Sequence, residues 1–352
     1  MLNKGEEKSI KVAIIGFGKM GILHSALLNA HPDAKVVGIV ENDQKTIKLF
    51  SQLNNSIKTY SSISDLLEDK LLDGIIISTP TYSHISVLEE FNDLCPYSLI
   101  EKPLALNCTE INKRQLSEKL IKKAFVGYVM RFHPAFNKVK LFLLNNLLGN
   151  IRSFHSQYYI ASALKKLKGW RMDSHTSGGG ALITNASHVI DMILWYFGTP
   201  NKVNGIKQHI FHKDVEDAYY GIMHYDNGMV GTVITDWCRQ KYRIPHMSIN
   251  IIGAKGEIEV DNNGIKLILY ENCSDFTKGI HEIRGTELYE GVYFDIGGQE
   301  YSKQIEAYIN SIDGKTNNSI CSFEEAIVVQ RVIDLFYKSS IKDCTPISVP
   351  IS

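Results

Sequence analysis

Val12-Ala-Ile-Ile-Gly16-Phe-Gly18-Lys-Met-Gly21 is an apolar run that breaks into glycines at fixed spacing. Val12 to Ile15 read as a buried parallel strand. Gly16 would let the chain turn sharply, Gly18 would let the backbone approach a pyrophosphate, and Gly21 would let the next helix pack closely on the strand. The helix expected from about Lys19 to Ala30 then offers its N-terminal amides to phosphates, so Phe17, Lys19 and Met20 join the three glycines as expected cofactor contacts. A second strand, Lys35 to Val40, ends at Glu41, roughly twenty residues beyond the glycines, where an acidic residue accepts hydrogen bonds from ribose hydroxyls and repels a 2′-phosphate. No Arg stands beside Glu41; the pattern favours NAD, with NADP as the alternative. The glycines alone would equally suit a ligand-free turn, an S-adenosylmethionine site or a flavin site. Strand, helix and acid in register narrow that choice.

The chain has 352 residues, of which 44% are hydrophobic, enough for two cores when domains cluster near 100–150 residues. Lys plus Arg and Asp plus Glu are both 38, so no global field favours nucleic acid or an anionic membrane, and a small ligand is expected. No apolar stretch reaches the roughly eighteen residues of a membrane span, and Met1 to Lys8 are polar and acidic where a secretory signal needs an apolar core; both point to the cytoplasm. The six cysteines, Cys95, Cys108, Cys238, Cys273, Cys321 and Cys344, are scattered without CxxC spacing, which suits reduced thiols. The histidines lack HExxH-type spacing, and no metal is assigned.

Beyond Glu41, helical and strand patterns alternate. Thr46–Leu53 and Ser64–Leu71 read as helices, Thr59-Tyr60 and Gly74–Ser78 as strands, and a helix from Ser83 to Leu94 follows Thr79-Pro80. Tyr97 to Ile100 is a strand followed directly by Glu101-Lys102-Pro103. Asn107 to Lys122 reads as one long helix and Ala124 to Val129 as a strand. This alternation predicts a doubly wound sheet over residues 1–128. After a helix from His133 to Leu148 the pattern becomes β-rich: Ile151–Ile160, Lys202–His212, Ala218–Tyr225, Met229–Trp237, His246–Ile252, Gly256–Asp261 and Ile265–Tyr270. Turn signals such as Asp226-Asn-Gly228 and Asp261-Asn-Asn-Gly264 separate several of them. The expected fold class is α/β, an N-terminal Rossmann domain plus a C-terminal α+β domain at 129–321 with a large open, mostly antiparallel sheet. One sheet face is left for an interface or a substrate cleft, and a last helix, 322–340, is expected to pack back on one of the domains.

These residues carry a family resemblance. Gly16-x-Gly18-x-x-Gly21, Thr79-Pro80 with His84, Glu101-Lys102-Pro103, Arg131, and Gly178-Gly-Gly-Ala181 leading to Ser187-His188-x-x-Asp191 resemble the glucose-fructose oxidoreductase and inositol dehydrogenase (Gfo/Idh/MocA) family, in order, from residue 10 to about 200. The resemblance implies an NAD(P)-dependent oxidoreductase that moves hydride to or from a hydroxyl-bearing carbon of a sugar, nucleotide-sugar or cyclitol. It implies a homodimer or homotetramer associating through the open sheet. It makes Lys102 and His188 catalytic, places Glu41, Thr79, Pro80, His84, Glu101 and Lys102 on the cofactor, and sets Arg131 on the substrate side with Thr184, Asn185 and His188.

Elementary chemistry supports parts of that transfer. Lys102 follows the carboxyl end of an apolar parallel strand, where ligands bind in open α/β sheets. Beside a positive nicotinamide its pKa would fall through like charge and desolvation, and it could take a hydroxyl proton as hydride leaves the carbon. At about 100° per residue, Thr184, His188, Asp191 and Trp195 share one stripe, while Leu182, Val189, Ile190, Ile193, Leu194 and Phe197 occupy the other side, so His188 is expected off the apolar face. Asp191 could orient its imidazole or cap local amides, or be an ordinary surface carboxylate. Members of the family commonly carry an acid four positions before this histidine; here Thr184 stands there, beside Asn185, and neither is a general base near neutral pH. Lys165, Lys166, Lys168 and Arg171 could meet the phosphates of a nucleotide-sugar while Trp170 stacks on a ring. Two further readings stay open: an NAD(P)-binding regulatory protein with a decayed site, and a sugar hydrolase or lyase that uses tightly held NAD as a transient oxidant.

Overall fold

The computed structural model describes residues 9–53, 57–69, 71–163, 169–315 and 319–350. The chain forms two compact units: Met1–Ala105, Thr109–Val129 and Gly291–Ala326 make the first, and Leu106–Cys108, Met130–Glu290 and Ile327–Ser352 the second. Gly291–Cys321, expected with the second domain, therefore lies in the first.

The first unit alternates β1 (Ile10–Ile15), α1 (Lys19–Ala30), β2 (Ala34–Val40), α2 (Gln44–Leu53), β3 (Lys58–Tyr60), α3 (Ile63–Asp69), β4 (Gly74–Ile77), α4 (His84–Glu89), β5 (Tyr97–Ile100), α5 (Cys108–Asn112), α6 (Glu118–Ile121) and β6 (Ala124–Val126). Its sheet runs β6-β5-β4-β1-β2-β3, all parallel, with Cys321–Ser322 added antiparallel to β6. A parallel sheet covered on both faces needs unbroken apolar strands. Val12, Ile14, Ile75, Ile76 and Ile77 are 0% exposed, each such burial stabilising by about 1.5–3 kcal/mol. The helix Gln299–Ile312 lies in this unit; its Tyr308 hydroxyl sits 2.9 Å from the carbonyl oxygens of both Ile75 and Tyr97. A Cβ at Gly74 would lie 2.3 Å from that hydroxyl, so β4 opens with glycine where the tyrosine crosses it.

One expected element is broken. The helix anticipated over Asn107–Lys122 is two short helices, because side chains capture the amides between them. Glu89 accepts from Gln115 and Asn92 from Ser117, and the Ser117 hydroxyl caps the second helix by accepting from Leu120. The helix anticipated to Leu94 likewise stops at Glu89.

The second unit carries α7 (Pro134–Leu144), β7 (Ile151–Tyr159), α8 (Ser174–Ser177), α9 (Ser187–Phe197), β8 (Lys202–Gln208), β9 (Ala218–His224), β10 (Val230–Asp236), β11 (His246–Gly253), β12 (Gly256–Asp261), β13 (Gly264–Leu269) and β14 (Gly279–Arg284). Its sheet runs β14-β13-β12-β11-β7-β10-β9-β8 and ends on Ile347–Ser348. β10 pairs parallel with β7, and the other printed pairs are antiparallel. This is the large open sheet that the spacing of turns predicts. β7 alternates buried Phe154, Ser156 and Tyr158 with more exposed Ser153, His155 and Gln157. Phe154 stacks on Phe197 of α9 at 5.3 Å, which fixes the covered face. The other face leaves Ile206, Ile222 and Val230 exposed. The last helix, Phe323–Ile341, begins in the first unit and continues in the second.

Candidate functional site

The glycine turn of the first unit is built as its spacing predicts. Gly16 has φ of +88°, and a Cβ there would lie 2.8 Å from Thr79. A Cβ on Gly21 would lie 2.2 Å from the Gly16 carbonyl oxygen, whereas one on Gly18 would meet nothing within 4 Å. The open side of Gly18 is therefore the side on which a ligand can reach the backbone. α1 starts at Lys19 with no side-chain cap and no acidic residue in its first turn, so its positive end is available to an anion. Met20 is half-buried and Phe17 buried. The Phe17 amide donates to Glu41 Oε2 at 2.7 Å, and the Asn42 and Asp43 amides donate to Glu41 Oε1 at 2.7 and 2.9 Å. These bonds fix the carboxylate at the end of β2, against the turn. A dinucleotide fits this cradle: open backbone at Gly18, bare helix amides, and an oriented acid.

Glu101 follows β5, its amide donating to Ile77 O at 2.8 Å. Its Oε1 is 2.8 Å from His24 Nε2 in a pair whose side chains are 1% and 12% exposed. Burial pushes the Glu101 carboxyl up, but the hydrogen bond from His24 and the charges of His24, Lys102 and His84 more than offset it and hold it below its ordinary value. Lys102 is half-buried, as are Thr79 and Pro80. His84, expected on the cofactor, is placed otherwise. It is 1% exposed, with Nδ1 2.9 Å from Pro103 O and Nε2 2.9 Å from Thr79 O. Burial pushes its pKa down. With both nitrogens facing the backbone, His84 is a strut between the Thr79 turn and the turn that bears Lys102.

The second unit gathers a different set. Gly178 and Gly179 have φ of +81° and +148°, and a Cβ on Gly180 would lie 2.0 Å from Glu216 O. The Glu216 carboxylate, 2% exposed, accepts from the Gly180 and Leu182 amides at 2.8 and 2.9 Å and from the Tyr337 hydroxyl at 2.8 Å. Burial pushes its pKa up, against these donors. Leu182–Ala186 then runs as a π-helix into α9. The regular pitch assumed for the Thr184–Trp195 stripe is thereby lost, because Glu216 holds the amides that open the helix and the Thr184 hydroxyl donates to Gly180 O at 2.6 Å. Asn185 Oδ1 accepts from Trp237 Nε1 at 2.6 Å and lies 3.2 Å from the Thr184 hydroxyl. Tyr158, which also hydrogen-bonds Asn185, stacks its ring on His188 with centroids 6.2 Å apart at 11°.

His188 is 8% exposed and Asp191 0%, so the expected division of α9 into an apolar face and a separate face bearing His188 is corrected: α9 is buried nearly all round. Arg131, expected on the substrate, is 1% exposed. Its Nε lies 3.1 and 3.0 Å from the two Asp191 carboxylate oxygens and its Nη2 is 2.7 Å from Oδ1. The guanidinium is committed to Asp191, which rules out the surface carboxylate reading. Trp170 and Arg171 lie on a short turn with the guanidinium 4.4 Å from the indole centroid, whereas Lys165, Lys166 and Lys168 lie outside the described residues. Sequence reasoning missed His24, Tyr158, Glu216 and Trp237. Only His24, an apolar-face histidine one turn past Gly21, carried a local signal. Among the described residues no group of three or more His, Cys, Asp or Glu could hold a metal, and no helix is long and apolar enough to cross a membrane.

Comparison with known proteins gives two consecutive matches. Residues 10–128 match the model described as oxidoreductase family, NAD-binding Rossmann fold, and residues 140–349 match oxidoreductase family, C-terminal alpha/beta domain. A glucose-6-phosphate 3-dehydrogenase from Bacillus subtilis is 30% identical over 192 residues, 53% of this chain and 53% of the relative; the chain thus spans about half the length of that relative. A myo-inositol 2-dehydrogenase from Thermotoga maritima is 22% identical over 263 residues, 72% of this chain and 75% of the relative. The solved structure of levoglucosan dehydrogenase in complex with NADH and levoglucosan has a TM-score of 0.85 at 22% identity, covering 97% of this chain and 100% of that one; that likeness is one of fold.

Proposed function

Since this chain belongs to the glucose-fructose oxidoreductase, inositol dehydrogenase and MocA family of oxidoreductases, we propose that it is a dehydrogenase that moves hydride between NAD and a hydroxyl-bearing carbon, or its ketone, of a sugar. The observation that carries the reading is the Glu41 carboxylate bonded to the Phe17 amide of the glycine turn. It joins a backbone that can approach phosphates to an acid that selects an unphosphorylated ribose. The names of the relatives, a sugar-phosphate dehydrogenase and a cyclitol dehydrogenase, support a polyhydroxylated substrate.

NAD, when bound, supplies the hydride acceptor. Gly18, the α1 amides at Lys19 and Met20, and Glu41 would hold its phosphates and adenosine ribose, with Thr79, Pro80 and Glu101 beyond them. Lys102, half-buried at the strand end, takes the hydroxyl proton in oxidation and returns it in reduction. Within the second unit, the family resemblance supports His188, its ring stacked on Tyr158, as a hydrogen-bonding residue for the sugar, together with Thr184 and Asn185. Neither Thr184 nor Asn185 takes a proton, because an amide and a hydroxyl are not bases near neutral pH. Arg131 acts through Asp191 as a support for α9.

Purified protein should form NADH from NAD with at least one member of a panel of hexoses, hexose phosphates, nucleotide-sugars and cyclitols, and Lys102→Ala should stop this while leaving NADH binding intact. The hydroxyl and amide at positions 184 and 185 favour one other reading, in which NAD stays bound and is regenerated while a sugar is hydrolysed or eliminated. Product formed with no net change in NADH would select it. We also assign a homodimer or homotetramer, on the support of the exposed Ile206, Ile222 and Val230 on the open sheet face; a monomer by light scattering would refute it. The cysteines, scattered without CxxC spacing, support a reducing, cytoplasmic setting.

A further inference from the structure

We infer that His24 is a positioning residue for Lys102: its imidazole donates to Glu101 and holds that carboxylate as the fixed counter-charge beside the lysine. The inference rests on the reading of Lys102 as the group that handles the substrate proton.

His24 is 0% exposed on α1, one turn beyond Gly21. Its Nδ1 has no hydrogen-bond partner, so Nε2 is the ring atom that makes the polar contact, 2.8 Å from Glu101 Oε1. A donor buried this far contributes strongly, since a hydrogen bond to a charged group gains in a low dielectric and losing it leaves a buried group unsatisfied. The titratable groups that face Glu101 are His24 from α1, Lys102 from its own turn and His84 from α4. His84 is already placed on the carbonyls of Thr79 and Pro103, which leaves His24 as the donor that holds the carboxylate. Burial is the largest influence on Glu101 and opposes ionisation, while the His24 hydrogen bond is the largest influence favouring it. Removing the imidazole takes away that donor and leaves the carboxyl buried, which shifts its protonation to higher pH. Lys102 then loses its neighbouring negative charge over a range in which the native turn keeps it.

The test reads the charge beside Lys102 directly and does not depend on knowing the sugar. Lysines of the NADH-loaded protein are reductively methylated with an isotope label and titrated by NMR, the Lys102 resonance being the one absent from Lys102→Arg. In His24→Leu that resonance should gain an inflection above the ordinary carboxyl range of about 4.3, absent from the unsubstituted protein and abolished again by adding Glu101→Gln. His24→Gln, which keeps an N–H, should restore the native curve. A native curve in His24→Leu would overturn the inference. Should that variant not fold, Glu101→Gln alone must lower the pH at which Lys102 titrates, and an unchanged lysine titration there overturns it equally. An inflection in His24→Leu together with full sugar turnover by Lys102→Ala would leave the pair standing and remove the catalytic role of the lysine.

Discussion

Arg131 grips Asp191 through Nε and Nη2, with a shortest contact of 2.7 Å and side chains 1% and 0% exposed. The pair ties the segment after β6 to α9 across 60 residues of sequence. Its energetics are asymmetric, because two buried charges that satisfy each other do not tolerate the loss of one.

Asp191→Ala and Arg131→Ala should each therefore cost about 3–5 kcal/mol of stability. The pair replaced together by apolar residues of similar volume should lose much less than the sum. Denaturant unfolding of the three variants checks this; additive losses would show that the charges do not depend on each other.

Gly18→Ala and Gly21→Ala should separate ligand room from folding room. A Cβ at 18 meets nothing within 4 Å, while one at 21 lies 2.2 Å from the Gly16 carbonyl oxygen. Gly18→Ala should keep the native melting temperature and lose NADH affinity by about tenfold or more, roughly 1.4 kcal/mol. Gly21→Ala should lose stability as well. Melting curves with and without NADH distinguish the two.

Glu41→Ala should weaken NADH binding and narrow the preference for NADH over NADPH, because it removes the acceptor for the ribose and the charge that repels a 2′-phosphate. Fluorescence titrations with both dinucleotides measure the ratio. An unchanged ratio would place the adenosine ribose elsewhere.

His133 gives a pH dependence of known sign. Burial lowers its pKa from 6.5 to about 4, against the Asn262 backbone and Asp261, which raise it. The folded state thus prefers the neutral ring, so its contribution is complete above the unfolded value of 6.5 and is lost as pH falls towards about 4. The difference amounts to about 3 kcal/mol at about 1.4 kcal/mol per unit. His133→Gln should flatten the stability profile between those two pH values; an equally steep profile would assign the acid loss to other groups.

The parts of this molecule that could be read from sequence are those fixed by chain neighbours. The strand, glycines and helix of residues 12–30 and the acid at 41 depend on local backbone chemistry, and they appear where the pattern puts them. The Lys102 turn is legible for the same reason, since an apolar strand must end before a charged residue and a proline. What was illegible depends on partners far along the chain. Glu216 reaches back 36 residues to Gly180, and this contact, which no periodicity records, replaces the assumed pitch at Thr184 by a π-turn. Arg131 and His84 were placed on the ligand by the family resemblance; the motifs contain Asp191, Thr79 and Pro103, but nothing in them records that this buried carboxylate and these two carbonyls engage the guanidinium and the imidazole. The helix Gln299–Ile312, whose buried Ile305, Tyr308 and Ile309 share one face, was not among the expected elements.

The central claim is that an NAD-linked oxidation of a sugar depends on Lys102. The most direct measurement is the rate of NADH formation by the native protein and by Lys102→Ala, each shown to bind NADH, across one panel of sugars and sugar phosphates. The account predicts NADH with at least one substrate for the native protein and a loss of about 10²–10⁴-fold in the variant, the range contributed by a positioned acid–base group. Equal rates for the two proteins on an accepted substrate would contradict it.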